Sequence, residues 1–77
     1  MVSRKPKYRQ VFEAIEGAIL SGHYQPGEKL PSEAGLVEEF GTSRITVVRA
    51  LRELQQKGIV QRRAGSGTYV TDGVASN

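Results

Sequence analysis

The sequence predicts an α+β domain, three helices followed by a two-stranded β-hairpin, on three observations. Apolar residues recur at three- and four-residue spacing in three separate segments, the pattern of helices with one buried face. Glycine or proline stands at each junction between them. After Gly58, the run Ile59-Val60-Gln61-Arg62-Arg63, Ala64-Gly65-Ser66-Gly67, Thr68-Tyr69-Val70-Thr71 reads as strand, tight loop and strand.

Residues 1–7 form a basic arm, and a helical pattern sets in at Lys7-Tyr8. Val11, Phe12, Ile15, Ala18 and Ile19 line the apolar face of this first helix, which runs to Ser21 and stops at Gly22. His23 to Gly27 is a turn carrying proline and glycine in succession. Glu28 to Pro31 is short and extended, because proline disfavours the helical region for the residue before it. Leu30 is expected there as a buried anchor. Ser32 caps the second helix by accepting from a free backbone amide, and Glu33 suits the positive end of the helix dipole. Leu36, Val37 and Phe40 are its apolar face. Gly35 inside it costs roughly 1 kcal/mol relative to alanine, so a close helix contact is expected at that point.

Gly41 suits the left-handed position that ends the second helix, and Thr42 or Ser43 caps the third. The third helix runs to about Lys57 and stops at Gly58. At about 100° per residue, Val47, Ala50, Leu51 and Leu54 share one face and belong to the core. Ile45, Arg49, Arg52 and Gln56 lie opposite, with Arg44 and Val48 on one flank and Thr46 on the other. The domain thus covers residues 8–71. Residues 72–77 are small and polar, like a linker. There are no internal repeats.

The 77 residues suffice for one small domain. The formal net charge is +3, but its distribution says more. Arg4, Lys5, Lys7 and Arg9 stand near the start without an acid. Residues 11–40 carry six glutamates against Lys29. Residues 41–71 carry Arg44, Arg49, Arg52, Lys57, Arg62 and Arg63 against Glu53 alone. Two basic blocks of this kind suit a polyanion, although a solvated surface has the same composition. There is no cysteine, hence neither a disulfide framework nor a thiolate metal site, and His23 has no second histidine as co-ligand. No metal, cofactor or catalytic constellation is expected. No apolar run approaches the ~20 residues of a membrane span, and no signal-peptide pattern opens the chain, so a cytoplasmic protein is expected.

Two helices joined by a short glycine-containing turn form a helix-turn-helix, whose second helix presents its N-terminal residues to base edges of duplex DNA. The hairpin after it makes the arrangement a winged helix-turn-helix. Ser43, Arg44, Thr46 and Arg49 give the third helix a donor-rich start, and arginine bonds bidentately to guanine. Val48 and Ile45 either meet thymine methyl groups or pack on the second helix or the arm. Arg52 continues the exposed face. Arg62 and Arg63 alternate in a strand and so face opposite ways, with one expected at phosphate beside the wing. Gly65, Ser66 and Gly67 form the wing tip. Ser32 is first a cap and secondarily a phosphate contact. Tyr8 reads as phosphate contact or packing, Tyr24 and Tyr69 as core or hairpin cover, and His23 as a surface turn residue. The competing reading is a protein-interaction winged helix whose basic face is incidental.

The strings PGEKLPSE (Pro26 to Glu33), FGTSRITV (Phe40 to Val47) and ALRELQQKGIVQRRAGSGTYV (Ala50 to Val70) resemble the DNA-binding domain of the GntR family of bacterial transcription regulators, most of all its HutC-type branch, with AraR-like regulators sharing similar N-termini. The resemblance spans about Tyr8 to Val70. It implies a homodimeric repressor or activator, first of all a repressor released by a small-molecule effector, with the effector bound to a C-terminal domain beyond the linker. It also implies that Ser43-Arg44, Thr42 and Thr46 stand at the start of the helix that enters the major groove, and that Gly65 or Gly67 lets the wing backbone approach the minor groove. The sequence departs from the family at two places. The arginine usual after Pro-Ser-Glu is replaced by Ala34, and the one usual after Thr-Val by Val48, with Arg49 next. Both usual arginines touch DNA, so the base-reading set here is partly replaced and the family's operator sequence does not carry over.

Overall fold

The computed structural model describes residues 6–71; the first five residues of the basic arm and the linker-like tail 72–77 lie outside the described residues. The elements are α1 (Lys7–Leu20), α2 (Glu33–Phe40), α3 (Arg44–Gln56), β1 (Val60–Arg63) and β2 (Gly67–Val70). Pro6 precedes α1, and its carbonyl accepts the amides of Arg9 and Gln10 at 3.0 and 3.2 Å. Lys7 is therefore the first helical residue rather than the last of the arm. Proline's fixed φ and lack of N–H suit a helix entry.

Every element sends apolar side chains into one core. It consists of Val11, Phe12 and Ile15 from α1, Leu36 from α2, Val47, Ala50, Leu51 and Leu54 from α3, and Val60 and Val70 from the hairpin, closed by Leu30. The α3 face expected from helical periodicity is the buried one. Tyr24 packs partly against this core, and His23 meets it edge-on with ring centroids 4.9 Å apart.

The junctions hold α3 in place. Ser32 Oγ accepts from the Gly35 amide at 3.0 Å and starts α2. Gly41 ends it with φ 61° and ψ 42°, a left-handed conformation that glycine adopts without Cβ strain. The Thr42 amide returns to the Val37 carbonyl at 3.2 Å. Of the two cap candidates for α3, Ser43 is the cap: its hydroxyl accepts from the Thr46 amide at 3.3 Å and lies 2.9 Å from Thr46 Oγ1. The helix contact expected at Gly35 is not there. A Cβ at that position would meet Ser32 Oγ at 3.4 Å and Pro31 Cβ at 3.6 Å, the cap of its own helix.

The hairpin is antiparallel, pairing Val60 with Val70, Gln61 with Tyr69, Arg62 with Thr68 and Arg63 with Gly67. Its strands differ by a residue from the expected limits. Ile59 stays outside β1 because its amide bonds the Leu54 carbonyl at 3.0 Å and finishes α3, while its carbonyl takes the Thr71 amide. Gly67 joins β2 opposite Arg63. The extended stretch before α2 adds a third edge: the Leu30 amide donates to Thr68 at 2.8 Å, and the Val70 amide to Glu28 at 2.9 Å. Leu30 is buried as expected, and this edge fixes the wing against the start of α2.

Candidate nucleic-acid interface

The exposed side of α3 begins at its cap. Ser43 and Thr46 hydroxyls are joined there, and Arg44 follows at the first helical position with its side chain 77% exposed. Ile45 is 82% exposed. That exposure leaves no packing of Ile45 on α2; packing on the arm concerns residues 1–5, which lie outside the described residues. Ile45, Val48, Arg49, Arg52 and Gln56 line one shallow depression along the helix, Val48 half-buried at its flank. The Arg49 guanidinium lies over the Tyr8 ring, 4.0 Å from its centroid, and pairs with Glu53 at 3.7 Å. Tyr8 thus serves as a platform that lays Arg49 along the helix, a cation–π contact at an exposed site. Thr42 is half-buried in the turn, with its amide committed to the end of α2.

The wing stands beside the start of α3. Gly65 has φ 75°, and Gly67 has φ 141°, a region that residues with a Cβ rarely adopt. The Ser66 amide donates to the Arg63 carbonyl at 3.0 Å, and the Ser66 and Tyr69 hydroxyls lie 2.6 Å apart. Arg62 and Arg63 do point to opposite faces. Arg63 covers the Tyr69 ring at 4.7 Å on the outer face. Arg62, on the inner face with Thr68, turns toward α2 and pairs with Glu33 at 2.9 Å.

Between wing and α2 lies a groove lined by Lys29, Ser32, Glu33, Arg44, Arg62 and the glycine-rich tip. The sequence reading passed over two of these residues. Lys29 runs under the wing tip, its Cε 2.7 Å from where a Cβ on Gly67 would stand. The signal for it was a lone cation in an acidic block, next to the extended anchor Leu30. Glu33, read only as a dipole partner, accepts from Arg44 Nε at 3.2 Å and from Arg62 Nη2 at 2.9 Å. Nothing in the local sequence marks a contact that spans 29 residues.

The arrangement is a convex, donor-rich helix flanked by a basic groove and a small-residue loop. It fits the convex-into-concave docking of a helix in a major groove. The titration of the Tyr24 phenol is displaced upward by burial, then by Glu39 and Glu28. It lies in the α1–α2 groove with Leu36 and Phe40, apart from this face. Among the described residues no group of three acidic, histidine or cysteine side chains is placed to hold a metal ion, and no helix is long and apolar enough to cross a membrane.

The family model of bacterial regulatory proteins, gntR family, matches residues 7–70. The chain is 45% identical over 71 residues to the mannosyl-D-glycerate transport/metabolism system repressor MngR of Escherichia coli, covering 92% of this chain and 30% of that protein. It is 48% identical over 67 residues to the histidine utilization repressor of Klebsiella aerogenes, covering 87% and 28% respectively. The crystal structure of AraR(DBD) in complex with operator ORR3 superposes with a TM-score of 0.89 at 37% identity, covering 92% of this chain and 86% of that one. The chain therefore spans less than a third of the length of these two repressors.

Proposed function

The chain belongs to the gntR family of bacterial regulatory proteins, and on that premise we propose that it is the operator-binding part of a transcription repressor. In this reading α3 enters the major groove, and the β1–β2 wing lies on the backbone beside it. The observation that carries the reading is the shared frame of the two. The exposed arginine at the first turn of α3 and the wing arginine flank one groove, with the cap hydroxyls of Ser43 and Thr46 alongside. A fold of this kind is bound to an operator in the AraR complex. Ser32, Thr42, Ser43, Arg44, Thr46, Val48, Arg49, Arg52, Arg62, Gly65, Ser66 and Gly67 are the proposed contacts, Arg63 is the one of the two wing arginines left on the outer face over Tyr69, and no catalytic step is assigned to any of them. Arg62 is the wing arginine on the groove side. Dimerisation, and release by a small molecule held in a C-terminal domain, belong to the same proposal and rest on the greater length of the related repressors. The cytoplasm is the compartment such a protein works in.

Electrophoretic mobility shift at a series of salt concentrations tests the reading. A dimer that neutralises about six phosphates gives a log–log slope of about −5 or steeper. A protein-interaction domain with an incidental basic face gives neither a retarded duplex nor a salt slope.

The wing has its own expected result. Gly67→Val places a Cβ against Lys29 Cε at 2.7 Å and forces a branched side chain into φ 141°. Lys29 can swing aside, but the backbone strain remains. DNA binding should weaken while the helical circular-dichroism signal stays near parental, since the core helices do not depend on the tip. Arg62→Ala should flatten the salt slope by about one unit, and Arg63→Ala should not. Normal binding by Gly67→Val, with parental slopes for both arginine variants, removes the wing from the mechanism.

A further inference from the structure

We propose that Glu33 is the positioning residue of the DNA-reading face, holding Arg44 and Arg62 in one frame so that affinity is directed to the correct sequence. This rests on the DNA-binding reading above.

Three observations carry it. Glu33 divides its carboxylate between two arginines on different elements, Oε1 to Arg44 of α3 and Oε2 to Arg62 of β1. Its own side chain is 19% exposed at the base of the groove, whereas Arg44 is 77% exposed at the rim. The anchor is therefore fixed and the arm is presented. Finally, the contact to Arg44 is made through Nε. The Nη1–Nη2 edge, which meets guanine end-on, is not the edge that Glu33 engages.

Stability accounts for only part of this carboxylate: it is the acid in the first turn of α2, a modest dipole contribution that needs neither arginine. Exposed ion pairs contribute little to folding, and a negative charge in a phosphate-facing groove repels the ligand. A repelling group on a binding face makes sense if it raises discrimination. Undirected phosphate contact is weakened everywhere, and the lost attraction is recovered only where Arg44, held at its base-facing angle, finds its partner. Glu33 also ties the wing to the helix mechanically. Arg62 cannot follow a phosphate away from α3 without breaking its half of the bridge.

The experiment compares the protein with Glu33→Gln and Glu33→Asp on two duplexes: the best binder selected from a random pool, and a scrambled duplex of equal length and composition. Glutamine removes the charge at constant shape. Aspartate keeps the charge but is one methylene shorter and cannot span both arginines. The expected result for both is a fall in the selected-to-scrambled affinity ratio of about tenfold, the scale of one bidentate base contact. Glu33→Gln should in addition bind the scrambled duplex more tightly than the parent. In an Arg44→Ala background, Glu33→Gln should change the ratio less than twofold, because the residue it positions is gone. Thermal midpoints of all variants serve to separate this from loss of fold. The proposal is overturned if either single variant keeps the parental ratio within twofold, or if the fall is as large without Arg44. Failure of the parent itself to prefer the selected duplex counts instead against the DNA-binding reading, so the two failures are told apart.

Discussion

Leu51→Ala is expected to destabilise the domain by about 2–5 kcal/mol. Leu51 is 1% exposed in the middle of α3, within a core to which all five elements contribute. Removing three carbons there leaves a cavity bounded by side chains whose backbones are pinned by caps and by the hairpin ladder, so little collapse can refill it. A domain of this size has a total stability of only about 4–12 kcal/mol. The loss is thus a large part of the whole, and the thermal midpoint should fall by at least about 8 °C. Ile45→Ala on the same helix is the internal control. It removes a larger-than-alanine apolar group from an 82% exposed position and should shift stability by no more than about 0.5 kcal/mol. A melt of Leu51→Ala within a degree of the parent would refute the assignment of the buried face.

That face was legible because it depends on one helix alone. Val47, Ala50, Leu51 and Leu54 repeat at helical spacing, and nothing distant can change which side of a 13-residue helix they share. The caps were legible for the same reason, since Ser32, Gly41 and Ser43 act within three or four residues of themselves. Sequence reading went astray where two segments compete for one group. Ile59 looks like a strand residue by type, but its amide is already used by the end of α3. Gly35 looks like a helix-packing residue, yet what lies beside it is its own cap.

The proposed binding face divides along the same line. The donor-rich start of α3 and the glycine tip could be named from the chain, because each is a local pattern. The groove between them could not. It forms only when Lys29, carried by an edge paired to Tyr69, comes under the tip, and when Glu33 reaches across to both Arg44 and Arg62. Strand alternation correctly separated Arg62 from Arg63, but only the packed fold tells which of the two faces α2. The replacement of the usual arginines by Ala34 and Val48 becomes clearer in this light. Ala34 lines the groove and adds no charge to it, which leaves Lys29, Arg44, Arg62 and Arg63 as its cations.

Arg44→Ala is the variant in which the docking model is most exposed. We expect a loss of about 1–3 kcal/mol on the best selected duplex and much less on a scrambled one. The unequal loss follows from position. Arg44 is the first residue of α3, projects from the domain with 77% of its side chain exposed, and is oriented from below by Glu33 rather than left to range over the phosphates. A guanidinium fixed in that way contributes most where a guanine edge meets it and little where none does. Competition titrations of the two duplexes at one salt concentration measure both losses directly. Equal losses would mean that Arg44 is a phosphate contact, and base reading would then pass to Arg49, Ile45 and Val48. Arg49→Ala should weaken binding as well, for a different reason: stacked on Tyr8 and paired with Glu53, Arg49 lies along the helix and presents a broad cationic plane rather than a pointed donor. Its loss should therefore be shared more evenly between the two duplexes. If both substitutions leave both affinities at the parental value, α3 does not enter the groove by its first turns, and the docking geometry must be abandoned.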